Sequence, residues 1–172
     1  MQRGHLTNIK AACGMRGRMR VTRTCGVRMW YRETLSSQHR DCDALIVTTE
    51  QAVHDRDWRT ASAAARHFVE RAEAHLAYEE QTLFPALAAA SPAAADPISV
   101  MRLEHAQMRE LFSELITATR QTDISTLSDC IETLSLLMRQ HNTKEENVLY
   151  PIADRCLAAG LVGPTKRETL KD

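Results

Sequence analysis

Two stretches of this chain repeat one another in residues that could bind a metal ion. Residues 75–85 read HLAYEEQTLFP and residues 141–151 read HNTKEENVLYP, so both follow H-x-x-x-E-E-x-x-L-aromatic-P. On a helix, a histidine and a glutamate four residues apart share one face, about one turn from each other. His75 with Glu79, and His141 with Glu145, are therefore two-pronged ligands for a cation. A further histidine, His39 or His105, lies 36 residues before each motif, so the whole unit recurs with an offset of 66 residues. A repeat of this length marks a duplicated supersecondary element, here a helical hairpin carrying one His and then one His-x-x-x-Glu.

The hairpins follow from apolar periodicity. A first helix over 34–54 places His39, Cys42, Ile46, Thr49 and Val53 on one stripe. Asp57 can cap a second helix over 58–84, striped by Phe68, Ala72, His75, Glu79 and Leu83. Pro85 bends or ends it, with room for one more turn through the alanines. A linker over 91–96 leads to a third helix over 97–120, with Asp96 as N-cap and Pro97 in the first turn. A turn over 121–125 leads to a fourth helix over 126–149, and a short helix over 152–159 follows Pro151. Four amphipathic helices joined by short turns predict an all-α, up-down-up-down four-helix bundle. Counting 1.5 Å per residue from the turns puts the four histidines at one height on inward stripes, with Glu79 and Glu145 one turn further on.

Composition frames this core. A chain of 172 residues suffices for one domain. Net charge is zero but unevenly spread: residues 1–32 carry seven Arg, one Lys and no acid, leaving 14 basic against 22 acidic residues in the rest. The expected organisation is a basic arm over 1–32, a bundle over 33–160 and a tail over 161–172. So acidic a body is a poor nucleic-acid binder. The five cysteines are odd in number and form no C-x-x-C, which points to a reducing, cytoplasmic setting rather than a disulfide scaffold or zinc ribbon. No apolar run is long enough to span a membrane.

The candidate site is thus His39, His75, Glu79, His105, His141 and Glu145. Any one of these histidines alone is read more simply as a core residue. Four at one height, two with a glutamate at i+4, are not, because buried carboxylates without a cation are costly. Six ligands exceed a tetrahedral zinc. They suit two non-haem irons, each taking two histidines, with both glutamates and a solvent-derived oxo or hydroxo group between. The spacing leaves open whether His39 partners His75 or His141. Glu80 and Glu146, at i+5, lie about 140° round the helix and are expected to face solvent or to brace a ligand. Cys42 and Met108 occupy matching positions and read as core, and His5, His54 and His67 read as surface residues.

These residues resemble the hemerythrin-like, or HHE cation-binding, domain family, over about residues 34–157, in the order and spacing of the six ligands and in the L-F-P and L-Y-P endings. The resemblance implies a four-helix bundle with a di-iron centre. The oxygen carriers of that family have a fifth histidine four residues after the first on the third helix; here that position is Arg109. They also use an Asp at i+5 of the fourth helix, where this chain has Glu145 at i+4. The four-His, two-Glu set is closer to the di-iron proteins that repair iron–sulfur clusters, although those carry a cysteine-containing amino-terminal domain, and this chain has only Cys13 and Cys25 there.

The function implied is reaction with, or binding of, a small diatomic, NO or O2, in nitrosative or oxidative stress protection or cluster repair. A protein partner would serve signalling or iron transfer. Two other readings stand beside it: reversible O2 binding for storage or sensing, and a redox-silent structural metal bundle.

Overall fold

The two ends of the bundle are held by different means, and the turns at one end show why the chain folds as it does. In the computed structural model, which describes residues 30–157, Asp57 accepts from the backbone N–H of Thr60 at 3.1 Å and from its hydroxyl at 2.6 Å. One repeat later, Asp123 caps Thr126 in the same way, at 3.2 and 2.7 Å. Each cap satisfies an N–H that a helix start leaves without a partner. Just before the caps, Arg56 and Thr122 reverse the chain with positive φ, 58° and 55°.

Among the described residues six α-helices follow: α1 Tyr31–His54, α2 Trp58–Tyr78, α3 Phe84–Ala90, α4 Ala95–Gln121, α5 Ile124–Lys144 and α6 Tyr150–Cys156. They make four rods, because α2 runs into α3, and α5 into α6, through single π-helical turns over Glu79–Leu83 and Glu145–Leu149. α1 packs on α2, α2 on α4, α4 on α5 and α5 back on α1, closing the four-helix bundle. Among the described residues there is no strand, and no helix is long and apolar enough to cross a membrane.

The π turns account for the prolines. Pro85 and Pro151 lack an N–H and their rings crowd the carbonyl four residues back. A wider turn relieves this: Phe84 N–H bonds to Glu79 O, and Tyr150 N–H to Glu145 O, each five residues back. The rods therefore continue past the prolines rather than end there.

Other boundaries also differ from expectation. α1 begins at Tyr31, not residue 34, because the buried Tyr31 donates its backbone N–H to Asp154 Oδ1 at 2.7 Å. Asp96 is not the N-cap of α4. A 3-10 turn over Pro92–Ala94 leads straight in, Ala94 takes the cap position, and Asp96 sits in the first turn. α5 starts two residues before residue 126, at the Asp123 cap. The last short helix starts at Tyr150 and ends at Cys156. The arm before residue 30, with His5, Cys13 and Cys25, and the tail over 161–172 lie outside the described residues.

The core is in two parts. One lies toward the capped turns and includes Phe68, Phe112, Leu115, Leu127 and Leu134; the other lies beyond the π turns and includes Leu35, Phe84, Leu87, Met101 and Tyr150. Between them lies a layer of buried polar residues: His39, His75, Glu79, His105, His141 and Glu145.

Thr122 is β-branched and holds a conformation that suits glycine. Thr122→Gly is expected to raise stability by about 1 kcal/mol, seen as a higher thermal midpoint; an unchanged or lower midpoint would show that the turn carries no strain.

Candidate metal centre

All six residues named from the sequence meet in this layer. α1 supplies His39, α2 His75, α4 His105 and α5 His141, and the first residues of the two π turns are Glu79 and Glu145. Both glutamates are fully buried, and no histidine of the four is more than 7% exposed.

Each imidazole is braced from outside by an acceptor. His39 Nδ1 lies 2.8 Å from Glu146, His105 Nδ1 2.8 Å from Glu80, His75 Nδ1 2.8 Å from Gln38 Oε1 and His141 Nδ1 3.0 Å from Glu104. Carboxylate and amide oxygens only accept, so Nδ1 must carry the proton in every ring. Nε2 is then left as an inward lone pair, the arrangement that metal-binding histidines share. Glu80 and Glu146 thus fulfil the bracing alternative. Gln38 and Glu104 are related by the same 66-residue offset, but nothing in their types marked them in advance. The outer carboxylates are themselves held: Arg109 forks onto Glu80 at 2.9 and 3.1 Å and reaches Glu73 at 3.1 Å, and Lys144 pairs with Glu104. Arg109 therefore points away from the centre.

Inside the layer, lone pairs face lone pairs. His39 Nε2 is 3.1 Å from His75 Nε2 and 3.3 Å from Glu145 Oε2. Glu79 Oε2 is 3.6 Å from His75 Nε2 and 3.5 Å from His105 Nε2, and Glu145 Oε1 is 3.1 Å from His141 Nε2. Glu79 Oε2, Glu145 Oε1 and the Nε2 atoms of His105 and His141 have no hydrogen-bond partner. Such burial is expensive unless a cation sits among these atoms. Two groups have donor atoms within 4.8 Å of one another: Glu79, His105, His141 and Glu145, and His39, His75 and Glu145. The donor set therefore fits metal ions, and the histidines pair within each hairpin, His39 with His75 and His105 with His141.

With the chain's own charges alone, protons must take the role of the cation. Burial, and then the Glu145 charge, push the Glu79 carboxyl up to about 7. Burial works against charge on His141, yet Glu145 beside it raises that imidazole to about 9. Burial, reinforced by the neighbouring His39, lowers His75 to about 3. Glu145 is held well below the usual carboxylate range, because His141 and His39 outweigh its burial.

One participant was not foreseen. The Tyr150 hydroxyl lies 2.7 Å from Glu79 Oε1, 2.8 Å from Glu145 Oε2 and 3.1 Å from His39 Nε2. The available signal was the single difference between the L-F-P and L-Y-P endings. Beside the layer, on the side of the capped turns, is a cavity of about 20 Å³. His39, His75 and His141 form part of its wall, and Cys42, Leu76, Met108, Phe112 and Met138 form most of the rest. Burial pushes the Cys42 thiol up to about 12, so Cys42 lines the cavity as an apolar group, in keeping with its reading as core. Neither His54 nor His67 is buried.

A family model described as the hemerythrin HHE cation binding domain matches residues 32–153. No curated protein and no solved structure matches the chain.

Glu145 belongs to both donor groups and Glu79 to one. Glu145→Ala is therefore expected to lose more bound metal per chain than Glu79→Ala, by elemental analysis of the folded variants; equal losses would contradict this division. The raised His141 value stabilises the fold fully below its ordinary 6.5, and that contribution is lost as pH rises through about 9. The thermal midpoint of chelator-stripped protein should fall between pH 7 and 9, and that of metal-loaded protein should fall less. A parallel fall in both would count against a cation replacing these protons.

Proposed function

Because this chain belongs to the hemerythrin HHE cation-binding domain family, we propose that its buried layer holds two iron ions and that the protein reacts with a small diatomic molecule, NO or O2. The observation that carries this reading is the cavity of about 20 Å³ with three of the histidines in its wall. A void of that size admits roughly one water-sized molecule. Its other lining atoms are almost wholly apolar, which favours an uncharged diatomic over water or an anion. A purely structural ion needs neither the cavity nor so many donors, since structural zinc sites close with four.

When bound, the irons supply one-electron redox chemistry and a coordination position for the diatomic. The chain's own residues do the rest. Gln38, Glu80, Glu104 and Glu146 fix the imidazoles by their Nδ1 protons and hold Nε2 inward. Glu145, with donors in both groups, links the two positions. Leu76, Met108, Phe112 and Met138 give the cavity an apolar wall.

Arg109 favours reaction over reversible carriage. It stands where the carriers place a fifth histidine, and its guanidinium is committed to Glu73 and Glu80. With no histidine there, the centre would keep open coordination, which suits consumption of NO or reduced oxygen species in stress protection or iron–sulfur cluster repair.

Protein purified without oxygen is expected to contain about two irons per chain and to change its near-ultraviolet and visible spectrum on adding O2 or NO. Rapid, irreversible oxidation or NO consumption supports reactivity. A stable spectrum reversed by removing O2 would replace it with storage or sensing, and a single redox-silent ion would leave only a structural bundle.

A further inference from the structure

Packing does not explain the Tyr150 hydroxyl. One repeat earlier the same position is Phe84. The Phe84 ring lies against His105 with centroids 5.6 Å apart and planes at 25°, and the Tyr150 ring lies against His39 at 5.8 Å and 29°. Both aromatic residues are fully buried. The half containing Phe84 shows that the bundle closes equally well around a ring without oxygen.

The two donor groups, moreover, are unequal. His105 and His141 share theirs with both glutamates, whereas the group of His39 and His75 contains Glu145 alone, Glu79 reaching His75 at 3.6 Å without joining it. The Tyr150 oxygen borders this shorter group, 3.1 Å from His39 Nε2 and 2.8 Å from Glu145 Oε2, and also lies 2.7 Å from Glu79 Oε1. Those separations match the rest of the group, where His39 Nε2 is 3.1 Å from His75 Nε2 and 3.3 Å from Glu145 Oε2. Donors about 2.1 Å from a common ion and at right angles to one another stand about 3 Å apart. The spacing is thus that of neighbouring ligands around one ion. A single O–H proton, by contrast, can serve only one of the three acceptors that surround it well.

We propose that Tyr150 is a metal ligand, its phenol oxygen completing the position formed by His39, His75 and Glu145. This deepens the di-iron reading and rests on it. A phenolate oxygen is a hard, anionic donor that suits ferric iron. As the metal–oxygen bond forms, the O–H bond breaks and its proton leaves to solvent; no electron changes hands. The two iron positions are consequently unlike, one with two histidines and both carboxylates in reach, the other with two histidines, one carboxylate and a phenolate.

The test uses full-length protein loaded with iron and oxidised in air. Bound phenolate gives ferric iron a visible charge-transfer band, and excitation into that band enhances the tyrosine ring vibrations. The expected result is a band present in the parent protein and lost in Tyr150→Phe, with the variant folded and still carrying iron. Ring-deuterated tyrosine in the parent protein should shift the enhanced vibrations, and vibrations that do not shift overturn the proposal even if the variant fails to fold. A parent protein with two irons but no such band, or a band that survives in Tyr150→Phe, overturns ligation by Tyr150. A parent protein that takes up no iron pair overturns the di-iron reading and this one together, and iron content separates that outcome from the others.

Discussion

The structure depends on one electrostatic demand: inward-facing lone pairs in the middle of a bundle require positive charge between them. Each outer hydrogen bond to Nδ1 sharpens this demand, because it fixes the ring proton on the far side and commits Nε2 to the interior. The carboxylates cannot turn away either, since both are fully buried on turns fixed by i→i−5 hydrogen bonds. Protons can meet the demand in part, as the raised values of Glu79 and His141 show. Bound cations would meet it more fully.

Most of the arrangement serves that layer. The capped turns set the height at which each hairpin presents its histidines. Ahead of each proline the ordinary helix gives way to a π turn, and the first residue of that turn is the glutamate. The apolar core closes above and below. Stability and site construction are therefore coupled: residues that would ordinarily join the two halves of the core are replaced by residues that need a guest.

Much of this was legible in the chain. The period of 66 residues, read with helical spacing, is enough to assign the bundle, the common height of the histidines and the convergence of the six side chains. The rest was hidden for identifiable reasons. The π turns are a backbone response to proline that a regular helical wheel cannot represent. Asp123 lay inside what looked like a loop, although Asp57 marks the same position one repeat earlier. Gln38 and Glu104 are ordinary polar residues whose role depends on which ring they meet across the bundle. Tyr150 resembled an apolar punctuation mark beside Pro151, and only its contacts reveal the oxygen among the carboxylates.

The repeat has a consequence in terms of symmetry. Each hairpin contributes two histidines and one glutamate, half of the layer, so two identical hairpins around a twofold axis would complete it as a homodimer. Such a dimer must place the same residue at every equivalent position. It could have Phe84 twice or Tyr150 twice, but never one of each, and the same holds for Arg109 and its equivalent Asp43, or for Glu104 and Gln38. Carrying both halves in one polypeptide lifts that restriction. Two otherwise matching donor groups can then differ in donor atoms and surrounding charge while the backbone around them remains nearly the same.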